Sequence, residues 1–494
     1  MTQDAPPAEP TAVMLVLEGH APYLRQHGRS GAGEEPLHEL IASTYAPLLA
    51  GLYELIDSGL PIKLALALSP LLLDQLADPV VQKHTIQSLE AMAGRAQADV
   101  RRWQAEGNDH AVYLARFYAQ LHLRTLQIFE RQFGRNLVAA TRMLAEAGVI
   151  EVVAHTATNA AIPRCERAML RVQLEVGLIS TLRHLGQRPA VLWAANDALT
   201  PQLVDLLPEL KLRGIVGSPM MSAEHVPPSW VDRGRRVWAL TPDNRLLAHI
   251  RSASTGYPGD SIYRSDRRDP FSGERYWRRS DDGAGEEWYD PFHAYGRARQ
   301  HAQHFIHVLR DEAATESVRR SGQALVVAAE MELFGGGWFE GAVWLRTLLE
   351  ELAREPSLRL TTPGAYVERH PPAQMQLPVR FETPVVDGAL WSATHRLREA
   401  VERFPGAAGE RERLLNQAAR ELLLAQSNDW QQLHSTRLGS YGKQRLASHL
   451  ARFDRLLALG EQDLLTPPQR AELAELEEQD NPFPFLNYRL FGGG

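Results

Sequence analysis

Cysteine is almost absent from this chain. Cys165 stands alone in 494 residues, so an internal disulfide and a cysteine metal cage are both excluded, and a reducing compartment fits. No apolar run reaches the length of a membrane span. The opening residues, MTQDAPPAEPTA, lack the charged-then-apolar order of a secretory signal, and residues 1–11 read as a disordered leader. Basic runs are missing too. The arginines from Arg264 to Arg268 are broken by Asp266, and the net charge is -7 with a pI near 6.2. Neither a nucleic-acid nor a membrane partner is expected, and the chain reads as a soluble, cytoplasmic protein.

What is present is ordinary globular composition, 44% apolar and 23% charged, long enough for two or three domains or one elaborated barrel. Apolar runs of strand length end repeatedly in polar residues. Residues 12–17 deliver Glu18, Gly19 and His20, and residues 62–68 stop at Ser69 and Pro70. Residues 149–154 lead to His155 and Asn159, and residues 190–193 to Asn196 and Asp197. The run ALVVAA over 324–329 delivers Glu330 and Glu332, then three glycines and Trp338. Such runs are strands buried on both faces, as in a parallel sheet. Glu18 with His20, and Glu330 with Glu332, stand two apart and would share a strand face.

Shorter strands are expected at 212–216, 237–240, 246–250 and 358–361. Apolar spacing predicts helices over 34–56, 164–185, 290–312 and 343–354, with a long helical region over 71–147. Strand–helix alternation with polar residues at strand ends is the pattern of an α/β barrel whose site lies on its C-terminal face. Beyond residue 370 prolines mark a linker, and 390–402, 410–426 and 440–459 read as helices. The expected organisation is a barrel over 12–370, with a helical insertion at about 71–147, and a helical C-terminal domain over 371–494.

Several stretches in order then carry a resemblance. They are LEGHAPY from Leu17, STYAPLL from Ser43, HTATN from His155, GYPG from Gly256 with Tyr263 and Arg264, and DPFSG from Asp269. ELFG from Glu332, WFEG from Trp338, the pair Asp429–Trp430 and DNPFP from Asp480 complete the set. Together they resemble the family-57 glycoside hydrolases, specifically the 1,4-α-glucan branching enzymes, over nearly the whole chain. The resemblance implies an α/β fold: an incomplete (β/α)7 barrel with helical insertions, followed by an all-helical C-terminal domain. It implies α-glucan such as glycogen or amylose as partner, and no cofactor. Substrate-binding positions would be Glu18, His20, Asn159, Tyr257, Trp338 and Trp391.

The catalytic positions depart from the pattern. The family's glutamate nucleophile falls on Asn196, within WAAN, and its general acid/base aspartate falls on Glu330. The first motif's paired histidines are Glu18 and His20, a histidine of the third strand is Asn159, and a histidine after Leu-Phe-Gly is Gly336. A loop that closes over the donor looks shortened around 217–230. A retaining glucan transferase needs two carboxyl groups about 5 to 5.5 Å apart, one of them forming a covalent glycosyl-enzyme. The neutral amide of Asn196 lacks the charge that attacks. Glu330 retains an acid, but its extra methylene shifts the carboxyl by roughly 1 Å, which matters for positioning.

Three readings stay open at this level. The first is a branching-enzyme-like protein without normal branching activity, binding α-glucan or partnering an active glycogen enzyme. The second is an active α-glucan enzyme that uses Glu330 with Asp197 or Glu18. The third is a protein-interaction scaffold. Asp197 sits beside Asn196, but neighbours at a strand end point oppositely, which argues against its replacing the nucleophile. Glu18, His20 and His155 are residue types a metal accepts. Without HExxH-type spacing they are expected to form a hydrogen-bonded polar cluster, with no metal. Trp338 and Trp391 are equally suited to sugar stacking and to core packing.

Overall fold

The computed structural model describes residues 9–25, 33–194, 199–217, 228–279, 287–315, 318, 324–372, 387–433 and 439–493. Its centre is β1 (Thr11–Gly19), flanked in parallel by β8 (Leu325–Glu330) and β2 (Leu64–Leu68), while β9 (Leu358–Thr361) pairs with its first residues. β2 continues to β3 (Ile150–Val152), and a bridge from Ala154 to Leu192 carries the run into β4 (Val191–Ala194). From there it passes through β5 (Gly214–Gly217) to β7 (Val237–Leu240). β8, β1, β2, β3, β4, β5 and β7 thus form one parallel run, the strands of an incomplete (β/α)7 barrel. The Asp243 N–H donates to the Val326 carbonyl at 2.9 Å and brings the two ends of the run together.

Strand alternation separates two cores. Met14, Val16, Ala65, Ala67, Val326 and Ala328 pack together with Trp193, Val216 and Trp238 inside the barrel. Val13, Leu15, Leu17, Leu64, Leu66 and Val327 pack with the surrounding helices in a second cluster. Glu18 and Glu330 continue the inward parity of Val16 and Ala328, and they are register partners across β1 and β8. The two acids therefore stand side by side at the C-terminal mouth of the barrel.

One expectation from the sequence is corrected here. Residues 246–250 are not a strand but part of the helix Asn244–Arg251, which Asp243 caps by accepting from Arg245 N at 2.8 Å. Leu246, Leu247 and Ile250 are its buried residues, a spacing of one and four that suits a helix face. The helical region over 71–147 is built as four successive α-helices. Each of its three breaks supplies a side-chain cap: Asp78 before Pro79–Ala105, Asn108 before Asp109–Gln127 and Asn136 before Leu137–Glu146. Asn and Asp compete for backbone hydrogen bonds, which is why they interrupt an otherwise apolar pattern. One strand was not anticipated: β6 (Ser229–Asp232) pairs antiparallel with β7.

The helix expected over 34–56 forms as Glu35–Leu40 and Ala46–Asp57, joined by a π-helical turn at Ile41–Tyr45. Pro47 has no N–H to donate to the Ser43 carbonyl, so the ladder opens there, and Ala46 N reaches back to Ile41 instead. The C-terminal region is helical: Gly388–Arg403, Gly409–Ala425, Gly439–Gly460 and Pro467–Gln479 share a core in which Leu397, Leu422, Phe453 and Phe483 are fully buried. Tyr23, Leu71 and Val176 from the barrel side belong to the same core, so the helical region is docked by shared apolar burial. The expected linker lies mostly outside the described residues.

Candidate active site

The mouth of the barrel gathers side chains from four strand ends and from the helical region. His20 follows β1 directly. Its Nδ1 lies 2.7 Å from Ser69 Oγ and its Nε2 2.8 Å from Asp429 Oδ1. Ser69 also caps the helix Pro70–Ala77 by accepting from Leu72 N, so one hydroxyl ends β2, starts a helix and orients the imidazole. Asp429 arrives from the helical region. It accepts from Asn159 Nδ2 at 3.0 Å and from Ser427 Oγ at 2.6 Å. Asn159 is held at φ +55, a left-handed conformation that asparagine tolerates better than most side chains.

Glu18 is 9% exposed and lies 3.2 Å from His155 Nε2, whose Nδ1 faces the Thr156 carbonyl at 3.0 Å. The two imidazoles stack, with centroids 6.1 Å apart and planes 10° from parallel. The expected polar cluster of Glu18, His20 and His155 is therefore present as hydrogen-bonded pairs joined through stacking. Burial works against charge on Glu18, yet the His155 hydrogen bond and charge, with His20 behind, hold it below the usual carboxylate range. Burial likewise disfavours a charged His20, but Asp429, Glu18 and Glu332 outweigh it and hold the ring above its ordinary value. Asp429 is lowered in return by His20, Ser427 and Asn159 despite its burial.

Glu330 and Glu332 do not share a strand face as their spacing suggested. β8 ends at Glu330, and Met331–Leu333 is a 3-10 turn that sends Glu332 inward. Glu332 accepts from His20 N at 2.9 Å and from Tyr45 Oη at 2.5 Å. Burial lifts its carboxyl to about 7, with Glu18 adding to the rise and the Tyr45 hydrogen bond opposing it. Glu330 instead projects half-exposed and pairs with Arg251 at 2.9 Å. Asn196 and Asp197 lie outside the described residues, as does most of the segment expected as a shortened loop.

Two of the expected sugar-stacking aromatics are core. Trp338 is 1% exposed and packed between Tyr263 and Trp344. Tyr257 is 7% exposed, stacks on His301 at 4.6 Å and hydrogen-bonds His304 Nδ1 at 2.7 Å. Neither ring has a face free for a ligand, because the turn after β8 and the segment after residue 256 fold inward on aromatic neighbours. Trp391 is exposed on the helical region and packs in a tilted contact against His395. Tyr45, Ser69 and Ser427 are site members that the sequence reading did not single out. Tyr45 stood within the STYAPLL stretch, Ser69 at the stop after residues 62–68 and Ser427 two residues before the Asp429–Trp430 pair, but nothing local marked any of them as a site residue.

An incomplete (β/α)7 barrel with linked carboxylates and imidazoles at its C-terminal mouth, sealed by a helical region that contributes one acid, defines a class of barrel protein built around a polar cleft. The comparisons narrow that class. Residues 14–248 match the glycosyl hydrolase family 57 model, and residues 389–491 match the model for the C-terminal part of 1,4-alpha-glucan branching enzymes. A curated 1,4-alpha-glucan branching enzyme of Thermococcus kodakarensis is 29% identical over 95% of this chain and 77% of that protein. The crystal structure of a GH57 branching enzyme from that archaeon, in complex with glucose and additives, superposes with a TM-score of 0.84 at 25% identity, covering 97% of this chain and 96% of that one. A GH57-type branching enzyme from Pyrococcus horikoshii shares the fold with a TM-score of 0.85 at 24% identity, covering 97% and 96%. In sequence and in fold the chain is similar to the branching enzymes of glycoside hydrolase family 57.

Proposed function

We propose that this chain is an α-glucan-binding relative of the branching enzymes that does not carry out normal branching. One observation carries the reading. Retaining transfer needs two free carboxyl groups at the barrel mouth, and here one position is Asn196 while the other, Glu330, is ion-paired to Arg251. Among the described residues the other acids of the mouth are engaged too: Glu18 by His155, Glu332 by Tyr45 and His20, and Asp429 by His20 and Asn159. This hydrogen-bonded surface supports a role in holding sugar hydroxyls, or in accompanying an active glycogen enzyme in the cytoplasm.

The register pairing of Glu18 with Glu330 favours one alternative, an active enzyme with rearranged carboxylates. An amylose–iodine assay with branch-chain analysis separates the two readings. The expected outcome is no change in iodine absorbance and no new branch points, together with retarded migration in glycogen-containing native gels. Turnover abolished by Glu18→Gln would establish the rearranged-carboxylate enzyme instead. No turnover and unretarded migration would point to a protein-interaction scaffold.

A further inference from the structure

A separate cavity of about 590 Å³ lies behind the wall of the candidate active site. Leu40, Ser43, Gly335 and Gly336 line it, whereas Tyr45, Glu332 and His20 do not. Its lining carries six arginines against three glutamates. The glutamates are already engaged. Glu39 takes Arg268 in a two-bond fork at 3.0 and 2.8 Å, Glu54 takes Arg346 at 3.1 Å and Glu274 takes His122 at 2.7 Å. Arg264 lies over the face of Phe339, 3.6 Å from the ring centre, and Glu340 accepts its backbone N–H at 3.1 Å.

Arg275 is different. Its side chain is half-buried, and its Nε is buried and meets no acceptor among the described residues. Burial, with Arg264 and Arg268 beside it, holds Arg275 below its ordinary value against the opposing pull of Asp266 and Glu39. Arg95 is solvent-exposed at the rim and donates its Nε–H to the Ser272 carbonyl at 3.1 Å. A buried N–H without an acceptor is costly, and buried polar groups in folded proteins are nearly always satisfied. An anion supplies the missing acceptor, and the planar fork of arginine suits a phosphoryl group in particular. A bare anion would leave most of the volume unfilled, since the cavity is of small-molecule size and has Tyr295 and Phe339 in its wall.

We propose that this cavity binds a phosphorylated ligand of sugar size, its phosphoryl group held by Arg275 and Arg95 and its ring set against the aromatic wall. The site is distinct from the barrel mouth and does not depend on the reading given for it.

Calorimetric titration of the full chain with glucose 6-phosphate, inorganic phosphate and glucose tests the proposal. Glucose 6-phosphate is expected to bind at least roughly tenfold more tightly than inorganic phosphate, and glucose to give no heat through this site. Arg275→Gln is expected to weaken glucose 6-phosphate roughly ten- to hundredfold, the range for losing a charge-assisted hydrogen bond. Its melting temperature should be unchanged or higher, because a buried N–H without an acceptor has gone. Arg95→Gln, on a separate helix, should reproduce the loss if the first variant folds poorly. Undiminished binding in both folded variants, equal affinity for inorganic phosphate, or no heat with glucose 6-phosphate at millimolar concentration would each overturn the assignment.

Discussion

Glu332 shows how much a single residue's surroundings decide. Its sequence spacing from Glu330 suggested a twin, but the 3-10 turn after β8 makes one acid a surface partner of Arg251 and the other a buried acceptor for Tyr45 and His20. Burial raises the Glu332 carboxyl from about 4.5 to about 7. The sign follows from which state holds the proton. Between those values the folded chain keeps a proton that the unfolded chain has released, so this group's stabilising contribution is full below about 4.5 and is lost as pH rises through about 7. The gap corresponds to something on the order of 3 kcal/mol. Glu332→Gln keeps an oxygen for both donors and removes the titration. Thermal scans are expected to show the variant more stable than the parent at pH 8, with the difference shrinking by pH 5. Parallel pH slopes for the two proteins would show that Glu332 is charged in the fold. Exposed Glu330 should behave otherwise: Arg251→Ala is expected to move stability by less than about 1 kcal/mol in urea unfolding.

At the scale of elements, the glycine run after β8 meets the π-turn after Leu40. Pro47 frees the Ser43 carbonyl from the helix ladder, and Gly335, at φ +123, packs against that oxygen so closely that an added Cβ would sit 2.0 Å from it. Gly335→Ala therefore combines a forbidden backbone conformation with a backbone clash, and a loss of about 2 to 4 kcal/mol is expected from chemical denaturation. Gly337→Ala, with nothing nearer than 3.7 Å, is the control and should be milder. Elements of this kind also mark what was legible in the sequence. Strands such as AVMLVL and ALVVAA were readable because burial on both faces leaves uninterrupted apolar runs. Residues 246–250 misled because a short apolar run is compatible with strand or helix until Asp243 is recognised as a cap. Pro47 signalled a break in the ladder, but only the approach of Gly335 from nearly three hundred residues away explains what the break is for. The burial of Tyr257 was invisible and that of Trp338 stayed one of two open readings, since their neighbours His301 and Trp344 are brought to them by the fold.

For the whole molecule, the decisive contact joins the barrel to the helical region through the mouth itself. Asp429 sits beyond β1 by more than four hundred residues, yet it receives His20 at 2.8 Å, with Asn159 and Ser427 completing its shell. Apolar burial of Tyr23, Leu71 and Val176 in the helical core supplies adhesion, while this ion pair fixes where the surface docks. Breaking one side of a buried pair typically costs about 3 to 5 kcal/mol, because the remaining charge is left uncompensated. Asp429→Asn is therefore expected to destabilise by roughly that amount, and His20→Gln by a similar loss. The double variant should lose clearly less than the sum, which is the signature of direct coupling. The pH behaviour gives a second check. Asp429 helps hold His20 above its ordinary value, so the pair's contribution is full below about 6.5 and fades as pH rises through the folded value. Urea unfolding of parent, singles and double at pH 5.5 and 8.5 measures both effects. Additive single losses, or a coupling that does not diminish at the higher pH, would mean that apolar packing alone sets the docking, and the barrel mouth would then lose its claim to be a surface shaped jointly by both halves of the chain.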